Sequence, residues 1–302
     1  LADEVRSVAE TPRHNPNDGR RMQITFWGVR GSIPTPGPQT VQIGGNTSCV
    51  EVRAGKAILI FDGGTGLRLL GKKLLPLAPI TAHMFFSHVH WDHIQGFPFF
   101  EPAFIPGNAF YLYGGNNVSR TLEETLEGQM DHPNFPVHLS AMGAKMTFRD
   151  LKEGETVTID DGQGKTVRVT TAAGHHPQGV YAFRVDHDGK VFVYATDTEH
   201  YEGRLDEKLV RLARNANAFV YDSQYTPEEY AGTAGTGVTK KGWGHSTFEE
   251  GVKLAEAAGV ERLVLFHHDP IQSDTAVREK ERRAKELFPN VIAAHEGLVI
   301  DL

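Results

Sequence analysis

The sequence predicts a layered α/β domain, and three observations carry the expectation. Short apolar runs ended by Gly or Pro begin at Met22. A strand-rich stretch followed by strands and helices occurs in two successive halves. The 302 residues, 39 % hydrophobic and 23 % charged, suffice for a sizeable core. A chain of that length buries roughly 75 % of its unfolded surface. The same composition excludes disordered, collagen-like and coiled-coil chains. With no repeat, low-complexity tract or clear linker after residue 20, residues 21–302 read as a single domain behind a flexible lead-in over 1–20.

The elements follow in order. MQITFWG (22–28), TSCVEVRA (47–54) and KAILIFDGG (56–64) read as strands, LRLLGKKLL (67–75) as a helix and ITAHMFF (80–86) as a strand. The Phe-, Pro-, Gly- and Asn-rich stretch 97–145 reads as loops around one helix, SRTLEETLEGQM (119–130). Strands resume with TVRVTTAA (166–173), VYAFRVD (180–186) and KVFVYATD (190–197). A helix over 206–215, the strand AFVYDS (218–223) and a Gly/Thr/Lys loop over 231–244 come next. In the helix STFEEGVKLAEAAG, both Ser246/Glu249 and Thr247/Glu250 fit a capping box, and Gly259 fits a C-cap. The strand RLVLFHH (262–268), the helix DTAVREKERRAKELF (274–288) and a terminal strand pair around VIAAHEGLVI (291–300) complete the chain.

Lys plus Arg is 31 and Asp plus Glu is 38, a net charge of −7. That balance disfavours wrapping nucleic acid or an anionic membrane. The single cysteine, Cys49, cannot form an intrachain disulfide and argues against Cys-rich zinc or iron–sulfur sites. A reducing, cytoplasmic setting is expected. No apolar run approaches the ~20 residues of a membrane span, and the first residues lack the apolar core of a secretory signal. Asp62-Gly63-Gly64-Thr65-Gly66 lacks the Lys of a phosphate loop and the spacing of a dinucleotide loop.

The unusual residue is His, present 15 times and clustered. Ser87-His88-Val89-His90-Trp91-Asp92-His93 follows the strand ITAHMFF. Neutral imidazoles with a carboxylate suit Zn²⁺ or another first-row divalent ion. Residues two apart in an extended segment share a face, so His88 and His90 can reach one ion, and Asp92 and His93 can address a second as the chain turns. This run resembles the HxHxDH signature of the metallo-β-lactamase-fold hydrolases. Gly174-His175-His176-Pro177, Ala195-Thr196-Asp197 and Leu265-Phe266-His267-His268-Asp269-Pro270 follow in the order of that family's later motifs.

The resemblance covers about residues 22–302 and implies a four-layer αβ/βα sandwich with metals at the sheet edge. It implies two divalent ions, Zn²⁺ first, with Mn²⁺ or Fe as alternatives. His88, His90 and His176 would hold one ion, Asp92, His93 and His267 the other, and Asp197 would bridge. His175 and His268 are the alternatives within their doublets. Trp243-Gly244-His245-Ser246-Thr247 is similar to the tRNase Z and cyclic phosphodiesterase branch. There the matching His contacts the scissile phosphate and pairs with an acid, here Asp222 where the branch usually has Glu. The catalytic set implied is thus His245, Asp222 and Asp92, with a metal-generated hydroxide as nucleophile. Asp62 resembles the family's second-layer Asp-Gly position. The N-terminal loops imply Arg30 and Asn46 as substrate-binding residues. For the stretch Phe97-Pro98-Phe99-Phe100-Glu101-Pro102 just after the ligand loop, core packing is the expectation for most rings, with a pocket wall that stacks a base as the alternative.

Basic residues between His93 and His176 are few and interspersed with acids. The expected substrate is therefore a small phosphodiester, such as a cyclic nucleotide or cyclic sugar phosphate. No large nucleic acid and no membrane are expected as partners, and a homodimer is left open. The alternative is a carbonyl hydrolase (lactonase, β-lactamase or thioesterase) using the same hydroxide.

Overall fold

Side-chain alternation decides how the strands stack. The computed structural model describes residues 22–115 and 120–302, so the lead-in expected over 1–20 lies outside the described residues. β1 (Met22–Gly28), β2 (Cys49–Ala54) and β3 (Ala57–Phe61) form an antiparallel meander. Along β3, Leu59 and Phe61 enter one core while Ile58 and Ile60 enter another, so this strand is covered on both faces. α1 (Leu67–Leu74) buries Leu67, Leu70 and Leu74, the spacing of one helical stripe. β4 (Thr81–Phe85), the one-turn α2 (Trp91–Ile94), β5 (Ala109–Gly115), α3 (Leu122–Gln129) and β6 (Lys145–Leu151) follow. β3, β4, β5 and β6 pair in parallel.

The second half repeats this plan. β7 (Thr156–Asp160), β8 (Thr166–Gly174), β9 (Val180–His187) and β10 (Lys190–Ala195) are antiparallel. Then come α4 (Glu207–Leu212), β11 (Ala218–Asp222), α5 (Pro227–Ala231), α6 (Phe248–Ala258), β12 (Leu263–Phe266), α7 (Asp274–Leu287), β13 (Val291–Ala293) and β14 (Val299–Asp301). β10 to β13 pair in parallel. The two sheets run β14-β1-β2-β3-β4-β5-β6 and β13-β12-β11-β10-β9-β8-β7.

The sheets face each other through aromatic rings. Phe61 lies 5.6 Å from Phe183, 5.9 Å from Phe192 and 5.6 Å from Tyr194, centroid to centroid. α1 and α3 cover the outer face of the first sheet with Leu67, Leu70, Leu122 and Leu126. α4, α6 and α7 cover the second. The result is the four-layer αβ/βα sandwich expected. Strands β3, β4, β8, β10, β11 and β12 end with Asp62, Ser87–His93, His175–His176, Asp197, Asp222 and His267 at or just beyond their carboxyl ends.

Three details depart from the sequence reading. β5, β6 and β7 were not expected, because their Gly-, Asn- and Pro-rich surroundings mask the alternation of Phe110 and Leu112. The segment 291–301 is not a strand pair: β13 extends the second sheet beside β12, whereas β14 crosses to the first sheet beside β1. The crossing turns at Gly297, at φ 80°, and is pinned by bonds from Glu296 N to Ile43 O and Gly297 N to Phe26 O. Of the two candidate caps on α6, Thr247 is used: its side chain accepts from Glu250 N, and Gly259 closes the helix at φ 65°. Among the described residues no helix is long and apolar enough to cross a membrane.

Phe61 carries the junction between the sheets, so Phe61→Ala should lower unfolding free energy by ~3–5 kcal/mol. Urea denaturation of the metal-free protein, followed by circular dichroism, measures this.

Candidate metal centre

The ligand loop is built around one buried carboxylate. Asp62 leaves β3 at φ 60° and is 1 % exposed. Its oxygens accept from Ser87 N at 2.7 Å, Ser87 Oγ at 2.8 Å, His93 Nδ1 at 2.8 Å and Tyr194 OH at 2.7 Å. Gly64 lets the ligand loop pass closely: a Cβ there would meet Asp92 O at 2.3 Å.

Two clusters of donor atoms result. In the first, His90 Nδ1 lies 3.0 Å from His88 Nε2 and 3.2 Å from His176 Nε2. In the second, His93 Nε2 lies 3.2 Å from both Asp92 Oδ2 and Asp197 Oδ2. His267 Nε2 lies 3.1 Å from Asp92 Oδ2 and 3.2 Å from Asp197 Oδ2. The other oxygen of Asp197 faces the first cluster, 3.7 Å from His88 Nε2.

The remaining ring nitrogens are anchored, which fixes each tautomer. His88 Nδ1 donates to Ser87 Oγ, His90 Nε2 to Gln178 Oε1, His176 Nδ1 to Gly244 O and His267 Nδ1 to Gln224 Oε1. Ser32 N donates to Asp92 Oδ2 at 2.7 Å.

These residues fit divalent ions. His93 Nε2 is buried without a hydrogen-bond partner, as a nitrogen aimed at a cation would be. Ligand bonds of ~2.0–2.1 Å in a tetrahedral shell put donor atoms about 3.3 Å apart, close to the spacings within each cluster. Burial and the nearby His93 push His88 well below the usual histidine range, and burial lowers His176. Both rings are therefore neutral, with a lone pair to share. Burial opposes charge on Asp92 and Asp197, but the surrounding imidazoles hold both carboxyls well below their usual range.

His245 stands beside the clusters. Its Nδ1 lies 2.8 Å from Asp222 Oδ2, and its ring stacks on His267 at 5.0 Å. Burial alone would lower its pKa, but Asp222, Asp197 and Asp92 outweigh it and lift the imidazole to about 9. Cations bound at Asp92 and Asp197 would take up those two charges and leave Asp222 as the group favouring the protonated ring. The second Asp222 oxygen accepts from Gln224 N and Ser246 N. Glu199 fixes the preceding loop by accepting from Gly242 N, Gly244 N and Tyr230 OH. A pocket of about 420 Å³ opens here, lined by Ser32, Val89, His90, Trp91, Asp92, Asp197 and His245.

The structure therefore brings together His88, His90, Asp92, His93, His176, Asp197, His267, His245 and Asp222. Within the doublets, His175 turns away to Glu199 O and stacks on Tyr201, and His268 Nε2 donates to Ala294 O.

Other expectations are corrected. Arg30 does not bind substrate: it is fully buried, with Nε on Gly44 O and Nη1 on Asp269 O and Gln272 O. Asn46 is absent from the pocket lining, and Glu296 takes both its backbone N–H and its side-chain amide. Phe97 and Phe100 are buried core, as expected for most of these rings, and exposed Phe99 meets Phe135 edge-on, so the alternative of a pocket wall falls away. Sequence reasoning missed Ser32, Trp91, Gln178, Glu199 and Gln224. Their one signal was proximity to the motifs.

Gln224 is the acceptor for His267, so Gln224→Leu should weaken binding of one ion about 10–100-fold and leave the other nearly unchanged. Competition with a chromogenic chelator measures both affinities.

A beta-lactamase superfamily domain model matches residues 59–268. A ribonuclease Z from Synechococcus sp. (strain CC9605) is 30 % identical over 344 residues, covering 93 % of this chain and 98 % of that protein. Among solved structures, a diphosphatase of the PhnP family superposes with TM-score 0.66 at 17 % identity, covering 93 % of this chain and 98 % of the other. Zn²⁺-bound PqqB from Methylobacterium extorquens superposes with TM-score 0.67 at 16 % identity, covering 93 % and 100 %. With HxHxDH and its later partners gathered at the carboxyl ends of strands from both sheets, the chain belongs to the beta-lactamase superfamily, as a ribonuclease Z-like metal-dependent hydrolase.

Proposed function

We propose that this chain hydrolyses a small phosphodiester with two divalent ions, Zn²⁺ first on its nitrogen-rich donor set. In this reading His88, His90 and His176 would hold one ion, Asp92, His93 and His267 the other, and Asp197 would serve both. The carrying observation is the His245–Asp222 pair at 2.8 Å beside both clusters. Carbonyl substrates bring no phosphate oxygen for such an imidazole to meet.

When bound, the ions supply Lewis acidity and a water deprotonated near neutral pH. The chain's own residues do the rest. Asp222 holds Nδ1–H of His245, which leaves Nε2 toward the pocket. A protonated Nε2 donates to a phosphate oxygen as charge develops, or gives its proton to the leaving alkoxide. Ser32 N and Asp62 keep Asp92 and His93 in place.

Ribonuclease Z relatives are named for RNA cleavage, which supports the phosphodiester as the reacting group. Two features favour a small substrate over tRNA. Lys and Arg between His93 and His176 are scattered among acids. The alignment to the Synechococcus protein spans 344 positions yet takes in 93 % of this 302-residue chain, so that relative carries segments lacking here. The solved diphosphatase shares the fold. The single Cys49 is a buried strand residue, in keeping with a cytoplasmic setting.

His245→Ala should retain both ions and the fold while lowering kcat on bis-p-nitrophenyl phosphate about 10²–10⁴-fold. Asp222→Asn should give a smaller loss of the same kind. Hydrolysis of a lactone should suffer much less in either variant. Steady-state kinetics on both substrates, with elemental analysis, checks this; an equal loss on both would make His245 a structural residue.

A further inference from the structure

We infer that Trp91 is an aromatic wall of the active-site pocket that stacks on a flat ring carried by the substrate. The preferred phosphodiester then bears a nucleobase or comparable aryl group, which separates it from a bare cyclic sugar phosphate. This rests on the phosphodiesterase reading above and narrows it.

The three tryptophans differ in their surroundings. Trp27 Nε1 donates to Glu51 Oε2 at 3.0 Å, and its ring lies under Lys73. Trp243 has the Lys240 ammonium 4.1 Å above its ring. The Trp91 side chain makes no hydrogen bond, ring contact or cation contact among the described residues, and it is 81 % exposed. Exposure by itself would need no explanation, since Val41 and Ile271 are exposed too; what sets Trp91 apart is where it stands.

That position gives the indole its use. Trp91 opens α2 between His90 and Asp92, and its carbonyl accepts from Gln95 N at 2.7 Å. The indole is therefore carried by the same rigid turn as two proposed ligands. It lines the pocket together with Val89 and with His90, Asp92, Asp197 and His245 of the proposed centre. At about 420 Å³ the pocket falls in the range of sites for ligands well beyond a lone phosphate. A substrate whose phosphate meets His245 and the proposed ligands His90 and Asp92 has the indole of the same pocket within reach of its next group. An aromatic ring gains most there, because stacking uses the whole face and tolerates any base.

The test compares adenosine 2′,3′-cyclic phosphate with ribose 1,2-cyclic phosphate on the metal-replete full chain. Trp91→Ala should lower the ratio of kcat/KM for the adenosine substrate over the ribose substrate about 5- to 150-fold, with the change in KM. Trp91→Phe should restore most of the ratio, and Trp91→Leu, apolar but not flat, should not. AMP should quench tryptophan fluorescence in the unsubstituted protein and much less in Trp91→Ala. An unchanged ratio with unchanged quenching overturns the proposal. So does a Trp91→Ala protein that sediments as a smaller species with the ratio intact, which would assign the indole to self-association. If the unsubstituted protein hydrolyses neither compound, the phosphodiesterase reading fails, and AMP quenching still decides whether Trp91 meets a base.

Discussion

The Asp62 carboxylate holds together what the rest of the site needs. It is buried between the sheets, where an unpaired charge would be prohibitive. Its stability depends on donors from both halves of the molecule: Ser87 and His93 from the first sheet's ligand loop, and Tyr194 from β10 of the second. Satisfying this one group fixes the loop after β4, the tautomer of His93 and the local separation of the sheets. The sites on the two halves are thereby held in register with each other.

A second buried polar lattice does similar work behind His267. Lys280 of α7 is fully buried and donates to Ser223 O and Gln272 Oε1. Burial pushes its ammonium down to about 8, against the pull of Glu229 and Asp269. Gln272 donates to Gln224 O, and Gln224 accepts from His267. Arg30 meets the same lattice through the carbonyl of Gln272. A helix on the outer face of the second sheet is thus tied through polar side chains to a proposed ligand nitrogen. Such networks rigidify to the extent that their members are satisfied, and here Arg30 Nη2 alone of that guanidinium is left buried without a partner.

Charge explains why the centre keeps two kinds of histidine. His88 and His176 stay neutral because burial and neighbouring imidazoles disfavour a proton. His245 is also buried, but Asp222 at 2.8 Å holds it toward the protonated form, and His93, ringed by Asp197, Asp92 and Asp62, is raised likewise. Cations bound at Asp92 and Asp197 would take up those charges and leave His93 a ligand, whereas Asp222, outside both clusters, would go on favouring a protonated His245.

Much of this was legible in the sequence because it depends on local spacing. The alternation in β1 to β4, the caps of α6 and the ligand run His88–His93 follow from periodicities of the chain itself. The later motifs, His176, Asp197, Asp222, His245 and His267, were found by the family resemblance: four of them stand at or just past strand ends, and His245 stands in the loop before α6. What only the tertiary structure decided depends on partners distant in sequence. Adjacent histidines at 175/176 and 267/268 point to opposite sides, and only the packed loop shows which side the site occupies. Arg30 looked like a phosphate clamp, but its guanidinium is enclosed by carbonyls from residues 44, 269 and 272. Gln178 and Gln224 carry no motif, and their roles come from the ring nitrogens they meet. Trp91 stands in the ligand run with no role of its own in the sequence, and its exposure at the pocket is fixed by the turn that carries it. Direction in space, set by contacts across the fold, is the information that residue type and spacing lack.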